Sequence, residues 1–239
     1  MTKTIKGSVV FITGATGAIA QALIAALKAR GAAKIYAAAR DISGLVASDH
    51  LVPLKMDVRS DDDVKKAAAV ATDVTLLINN AGINRNTSFM TAPNLAIAIE
   101  EMEANYFGPL RVTRAFAPVL IANHGAVLNL LTILARVNLP FMGSYCASKA
   151  AALSLTQGLR GELAPQGVHV AGALPGAVDT RMTAGLPIPK MTPAEAAAEI
   201  LDGYETGEED INVGEMARGI AQGLAHDPKA VERQLASPG

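Results

Sequence analysis

Tyr145 and Lys149 stand four residues apart in Tyr145-Cys-Ala-Ser-Lys149. On a helix that spacing puts both side chains on one face. A free tyrosine has a pKa of about 10 and is a poor acid or base at neutral pH. An ammonium beside it favours the phenolate and lowers that pKa. A tyrosine so treated can give and take protons in a reaction. By itself the spacing is a weak signal, and its weight depends on the rest of the chain.

A second group of residues points to a nucleotide. Thr13-Gly-Ala-Thr-Gly-Ala-Ile-Ala20 lies where a short β-rich run, Ser8–Thr13, meets a helix-like segment, Ile19–Arg30. Glycines at such a junction allow a tight turn and let backbone N–H groups approach a pyrophosphate at the helix N-terminus. Gly14 and Gly17 are the two glycines, Thr16, Ala18 and Ile19 complete the contact surface, and Ala20 is small enough for close helix–strand packing. The next strand, Lys34–Ala39, ends in Arg40-Asp41. An acidic residue there suits a ribose 2′-hydroxyl, whereas an arginine suits a 2′-phosphate. Arg40 comes first, so the expected cofactor is NADP(H), with NAD(H) the lesser candidate. Asp41 is expected to turn away or cap the following turn.

Strand-like and helix-like segments alternate around these residues. Leu51–Met56 reads as a third strand, Asp61–Ala71 as a short helix opened by three aspartates, and Val74–Ile78 as a fourth strand. Acids suit the positive end of a helix dipole. A long helix is expected within Asn94–Ile121, bent or broken at Pro109 and Pro118. Ala126–Leu131 reads as a fifth strand, Ser144–Leu163 as a helix, and Val168–Leu174 as a sixth strand. The alternation predicts an α/β architecture, a doubly wound parallel sheet. Beyond Pro175 the pattern loosens into a proline-rich loop, Leu186–Pro193, a helix near Ala194–Gly203, an acidic turn near Glu208–Asp210 and a last helical segment. With no repeat or linker, residues 1–239 read as a single domain.

Composition narrows the function classes. Half of the 239 residues are hydrophobic, 18% are charged and the net charge is −1. Such a balance suits a buried sheet and gives no reason to expect nucleic acid or a membrane surface as partner. No apolar run is long enough to span a bilayer, and the first residues lack the apolar stretch of a secretion signal. The single Cys146 rules out an intrachain disulfide and fits a reducing compartment, so the cytoplasm is expected. No metal site is expected.

Five segments in order carry a family likeness: the turn at Thr13, Asp57-Val58, Asn79-Asn-Ala-Gly82, Tyr145-Cys-Ala-Ser-Lys149 and Pro175-Gly-Ala-Val-Asp-Thr180. Together they resemble the short-chain dehydrogenase/reductase family, with subunits of this size and a Rossmann fold. The resemblance implies that Asp57 bonds the adenine amino group and Val58 flanks the ring. It implies that Asn79, Ala81 and Gly82 steady the sheet against the adenine ribose. Pro175, Gly176, Val178 and Thr180 would pack on nicotinamide, with Thr180 bonding the carboxamide. The catalytic set it implies is Asn105, Thr132, Tyr145 and Lys149. Thr132 stands thirteen residues before the tyrosine, where the family has serine. Ala18 and Ala20 also replace glycines of the usual turn. Asp57 has a plainer reading as a turn cap for Arg59–Asp63, and Asn105 as a helix-bending residue.

The expected reaction is reversible reduction of a ketone or aldehyde, a small-molecule substrate. Tyr145 would protonate the developing alkoxide, Thr132 would stabilise the same oxygen, and Asn105 would anchor a water beside Lys149. Ile83, Leu139, Phe141, Met142 and the segment Met182–Met191 are candidate pocket walls, with a substrate lid over about 182–203. The resemblance implies a homodimer or homotetramer. Two alternatives follow from the same residues: a nucleotide-binding regulator without catalysis, motivated by Thr132, and a purely structural subunit.

Overall fold

Strands buried on both faces build the molecule. In the computed structural model, which describes residues 3–237, the first strand β1 (Val9–Thr13) points Val10 and Ile12 to one face and Phe11 to the other. All three are fully buried. That requires helices on both faces, the arrangement of a parallel sheet. Helix α1 (Ala18–Ala29) follows, then β2 (Lys34–Ala39), β3 (Leu51–Lys55), α2 (Asp61–Val70) and β4 (Leu76–Asn79). Next come α3 (Ala96–Met102), a π-helical turn (Glu103–Phe107) and α4 (Gly108–Ala122). The chain continues through β5 (Ala126–Leu130), α5 (Gly143–Leu163), β6 (His169–Pro175), α6 (Pro193–Thr206), β7 (Asp210–Val213), α7 (Gly214–His226) and α8 (Pro228–Ala236).

The seven strands are parallel throughout, in the order β3-β2-β1-β4-β5-β6-β7. One face is covered by α1 and α6, through Leu23, Leu27, Ile200 and Leu201. The other is covered by α2, α4 and α5, where Phe116 meets Phe11 with ring centroids 4.4 Å apart. The doubly wound parallel sheet expected from the sequence is therefore present. The strand order reverses between β1 and β4, and the crevice at their carboxyl ends is where such sheets take ligands.

Four expectations need correction. The acidic turn near Glu208–Asp210 leads into a seventh strand. Asp210 at its start is held by Arg136 and Arg160, at 2.8 and 2.9 Å, so an acid there does not forbid a strand. The last helical segment is two helices, α7 and α8, separated at Asp227, whose carboxylate accepts from Ala230 N. The long helix is interrupted at Glu103–Phe107 and not at its prolines. Pro109 lies in the first turn of α4, where its missing N–H costs nothing, and α4 runs on through Pro118.

The fourth concerns the lid. Thr192 and Glu195 form a reciprocal cap that starts α6, and Gly207, at φ +82°, ends it. Between them Ala196, Ala197, Ile200, Leu201 and Tyr204 are buried in the main core. Most of 193–203 is thus core helix, which leaves only the stretch up to Thr192 to cover a ligand. Ile200→Ala is accordingly expected to lower the unfolding free energy by about 2–4 kcal/mol, measured by urea denaturation. A change within about 0.5 kcal/mol, as for a surface site, would contradict a core role.

Candidate active site

The carboxyl ends of β1 and β4 are sewn together by side chains. Thr13 Oγ1 accepts from the N–H of Asn80 and of Ala81, at 3.1 and 3.0 Å. The Asn80 amide donates to the carbonyls of Thr13 and Gly14. Gly14 has φ +66°, and a Cβ there would lie 2.8 Å from Ala81 Cα, so glycine is required by both strain and space. Gly17, extended at φ −73°, precedes α1, whose N-terminus has neither a side-chain cap nor an acid in its first turn. Ala18 and Ile19 open that helix. Its first N–H groups have no intrahelical partner, so the turn fits an anionic group such as a pyrophosphate.

The neighbouring positions behave differently from one another. Arg40 is exposed at the end of β2 and forms no ion pair among the described residues. Asp41 turns back to accept from Ser43 N at 3.0 Å, which holds its carboxyl below the usual range. Asp57 is gripped by Arg59, through the backbone N–H at 2.9 Å and the guanidinium at 2.8 Å, and is likewise held low. It is therefore the turn cap of the plainer reading, while Ser60 caps α2. Val58 stands beside it, touching the position of Gly108. Asn79 is brought to the sheet interior and not to the crevice. Its amide donates to Asn129 Oδ1 at 2.9 Å and to Thr113 Oγ1 at 3.0 Å.

The π turn carries Asn105. The side-chain oxygen accepts from Ile83 N at 2.9 Å, while the amide donates to Ile83 O and Ser148 Oγ, each at 2.9 Å. The helix-bending role expected for Asn105 is thus visible, and its side chain is spent on backbone and Ser148. A Cβ at Gly82 would come within 3.0 Å of Asn105 Oδ1 and 3.4 Å of Lys149 Nζ. Lys149 Nζ donates to Leu130 O at 2.8 Å.

Tyr145, 7% exposed, lies in a small apolar cluster with Met142, Cys146, Leu134, Leu139, Met182 and Leu186. Of the expected pocket walls, Leu139, Met142 and part of the 182–191 stretch are gathered here. Phe141 is half exposed and Ile83 is held by Asn105. Thr132 Oγ1 donates to Pro175 O at 3.3 Å and accepts from Leu134 N. Burial pushes the Tyr145 phenol up, assisted by Cys146 and Glu101, and the Thr132 hydroxyl acts in the opposite direction. The lowered phenol expected from the Tyr-Lys spacing is therefore not found in the chain itself. Desolvation is the largest cause, and burial likewise lowers Lys149 to about 8.

Beyond β6, Gly176 borders a cavity of about 710 Å³ lined also by Met191, Val213 and Met216 and by the charged Glu199 and Arg218. Val178 is buried and bridges to Met191. Thr180 caps the turn Arg181–Thr183. Sequence reasoning missed Ser148, Ser144 and Glu101, all buried. No sequence signal separates buried Glu101 from Glu100 beside it, because adjacent acids can both lie on the broad polar face of a helix. Among the described residues no cluster of His, Cys, Asp or Glu is placed to hold a metal, and no helix is long and apolar enough to cross a membrane.

The profile of the short chain dehydrogenase family matches residues 8–189, so the chain belongs to that family. A crystal structure of a short chain dehydrogenase from Burkholderia cenocepacia, in complex with NADP, is 45% identical. It covers 99% of this chain and 100% of its own, with a TM-score of 0.95. A short-chain dehydrogenase from Streptomyces avermitilis is 25% identical, covers 95% and 96%, and gives a TM-score of 0.83. An NADPH-dependent 1-acyldihydroxyacetone phosphate reductase from Schizosaccharomyces pombe is 33% identical over 77% of this chain and 64% of its own. The chain spans just under two thirds of the length of the first curated relatives it matches.

The buried lysine has a thermodynamic signature. Lys149 titrates near 8 in the folded chain, against the usual 10.5. Between those values the unfolded chain binds the extra proton, so the unfolding free energy rises with pH. Urea titrations should show that rise from pH 8 to 10, and Lys149→Met should remove it. A rise that persists unchanged in the variant would assign it to another group.

Proposed function

We propose that this chain is an NADP(H)-dependent oxidoreductase that reduces a ketone or aldehyde to an alcohol, reversibly. The observation that carries the reading is the burial of Tyr145, Thr132 and Lys149 around the end of β5: Tyr145 packs on Leu134, Thr132 Oγ1 accepts from Leu134 N, and Lys149 Nζ donates to Leu130 O. A carbonyl oxygen placed there takes two hydroxyl contacts. When bound, the cofactor supplies the hydride to the carbonyl carbon. Tyr145 then gives its phenolic proton to the developing alkoxide oxygen, so that carbonyl, hydride and proton sum to the alcohol. Thr132 would donate to the same oxygen by turning its single hydroxyl proton away from Pro175 O, which it reaches only at 3.3 Å. Asn105 fixes the loop at Ile83 and the helix at Ser148, and Lys149 supplies positive charge beside Gly82.

The cofactor is NADP(H). The turn from Gly14 to Ile19 suits its pyrophosphate, and free Arg40 suits the 2′-phosphate while Asp41 is committed to its own turn. The relative of 45% identity carries NADP. Asp57 and Val58 would receive the adenine, with Asp57 sharing its carboxylate with Arg59. Ala81 and Gly82 would line the ribose side, and Pro175, Gly176, Val178 and Thr180 the nicotinamide side. Asn79 would serve from inside the sheet, without touching the ligand. The apolar cluster around Tyr145 supports an apolar substrate. Leu95, Ile99 and Phe107 remain exposed near the α3–α4 junction, which supports assembly as a homodimer or homotetramer.

The test is loss of absorbance at 340 nm with NADPH and with NADH, against aldehydes, cyclic and aryl ketones, diketones and 3-oxoacyl thioesters. Turnover favouring NADPH is expected. Tyr145→Phe should lower it by about 100-fold or more while leaving NADPH binding, followed by fluorescence, nearly intact. Retained turnover in that variant sinks the assignment. Arg40→Ala should weaken NADPH binding by about 10- to 100-fold with little effect on NADH. Faster turnover of the unaltered chain with NADH would overturn the cofactor choice. Tight NADPH binding with no turnover on any substrate would favour a regulator.

A further inference from the structure

Asn105 has a companion one turn earlier. Glu101 and Asn105 are four residues apart, and so are the residues they hold on α5, Ser144 and Ser148. Glu101 is 1% exposed. One carboxylate oxygen accepts from Ser144 Oγ at 2.5 Å and the other from Arg85 N at 2.7 Å. Asn105 makes the parallel set of bonds to Ser148 Oγ and to both backbone groups of Ile83. Two rungs thus join the same loop, Ile83 to Arg85, to the same helix, on either side of Tyr145.

We propose that Glu101 is a positioning residue for Tyr145: it seats the first turn of α5 and the loop after β4, and it presents a negative charge to the proton-transfer site. The proposal rests on the reading of Tyr145 as the proton donor.

Three features favour this role over simple packing. First, the Arg85 guanidinium goes to Glu100, at 2.6 and 3.0 Å, so Glu101 has only neutral donors. An apolar side chain of similar volume would serve stability as well or better than an unpaired buried carboxylate. Second, α5 has no side-chain cap and no acid in its own first turn. Gly143 N is taken by Thr87 O, and Glu101 supplies the negative charge that the helix dipole favours there. Third, Ser144 is covalently next to Tyr145, so its seating is inherited by the phenol. The polar groups acting on Tyr145 are Cys146 from α5, Glu101 from α3 and Thr132 after β5, while Lys149, one turn further on α5, is turned to Leu130 O; Met182 and Leu186 add no charge.

The sign of the electrostatic effect is fixed. A carboxylate disfavours the phenolate, so its removal favours the phenolate. In the alcohol-oxidising direction Tyr145 must be the base, and activity rises with pH through its titration. Glu101→Gln keeps an acceptor for Arg85 N and a polar group for Ser144, but loses the charge. Its rising limb should move to lower pH by about half a unit, so that activity below the limb increases about threefold. Glu101→Leu leaves both donors without a partner and should lower kcat/KM about tenfold, with NADPH binding and the melting temperature as checks on folding. Should that variant fail to fold, Glu101→Gln still decides by its pH profile. An unmoved limb in Glu101→Gln, or wild-type kcat/KM in a folded Glu101→Leu, overturns the inference. Full activity in Tyr145→Phe would instead overturn the reading on which it rests.

Discussion

A single amide, that of Asn105, forces three separate parts of the chain into one arrangement. Its three hydrogen bonds close on the loop after β4 and on α5. It can reach them only because the helix widens into a π turn at Glu103–Phe107, a feature often found at functional sites. A Cβ at Gly82 would crowd the same amide, at 3.0 Å, and Lys149 Nζ, at 3.4 Å. Ser148, which accepts one of these bonds, donates its own hydroxyl hydrogen to the backbone carbonyl of Tyr145 at 2.7 Å. The backbone that carries the tyrosine is therefore set by buried, saturated groups, and such networks specify one geometry.

Burial of this kind has an electrostatic consequence. The phenol is driven toward its neutral form and the ammonium toward its own, because each charged form is desolvated. At neutral pH the tyrosine holds its proton, the state needed to protonate an alkoxide. Lys149, near 8, keeps most of its charge at pH 7. The pair thus stores a proton and a positive charge side by side in a dry site, where fixed charges act more strongly than in water. The simple argument that a lysine four residues on must acidify a tyrosine leaves out the cost of removing both from water.

Much of this was legible in the sequence because its causes are local. The run of buried β residues, the glycine turn and the Tyr145–Lys149 spacing each follow from short-range geometry. What was not legible depends on distant partners. Asp210 reads as a turn residue until Arg136 and Arg160 arrive from β5–α5 and α5. Asp57 reads equally as an adenine ligand or a turn cap, and the Arg59 guanidinium that folds back on it is not visible in the sequence. The 182–203 segment reads as a lid because its prolines are visible and the α1 surface that buries α6 is not. Asn79 lies in a recognisable motif, yet its side chain works inside the sheet, bonded to residues 34 and 50 positions away.

Thr132 is the place where the regulator and enzyme readings diverge, and local stereochemistry bears on it. Its backbone is extended, φ −167° and ψ 157°, and its hydroxyl is held between Pro175 O and Leu134 N. A β-branched side chain has few χ1 choices, so this hydroxyl loses little further freedom when a carbonyl oxygen approaches. A serine in its place would sample more rotamers and would have to be fixed by the substrate. The additional methyl takes up room that a serine would leave free, at a residue that is itself buried. The substitution therefore exchanges room for preorganisation. It reduces the room at the end of β5 and keeps a hydroxyl at this position.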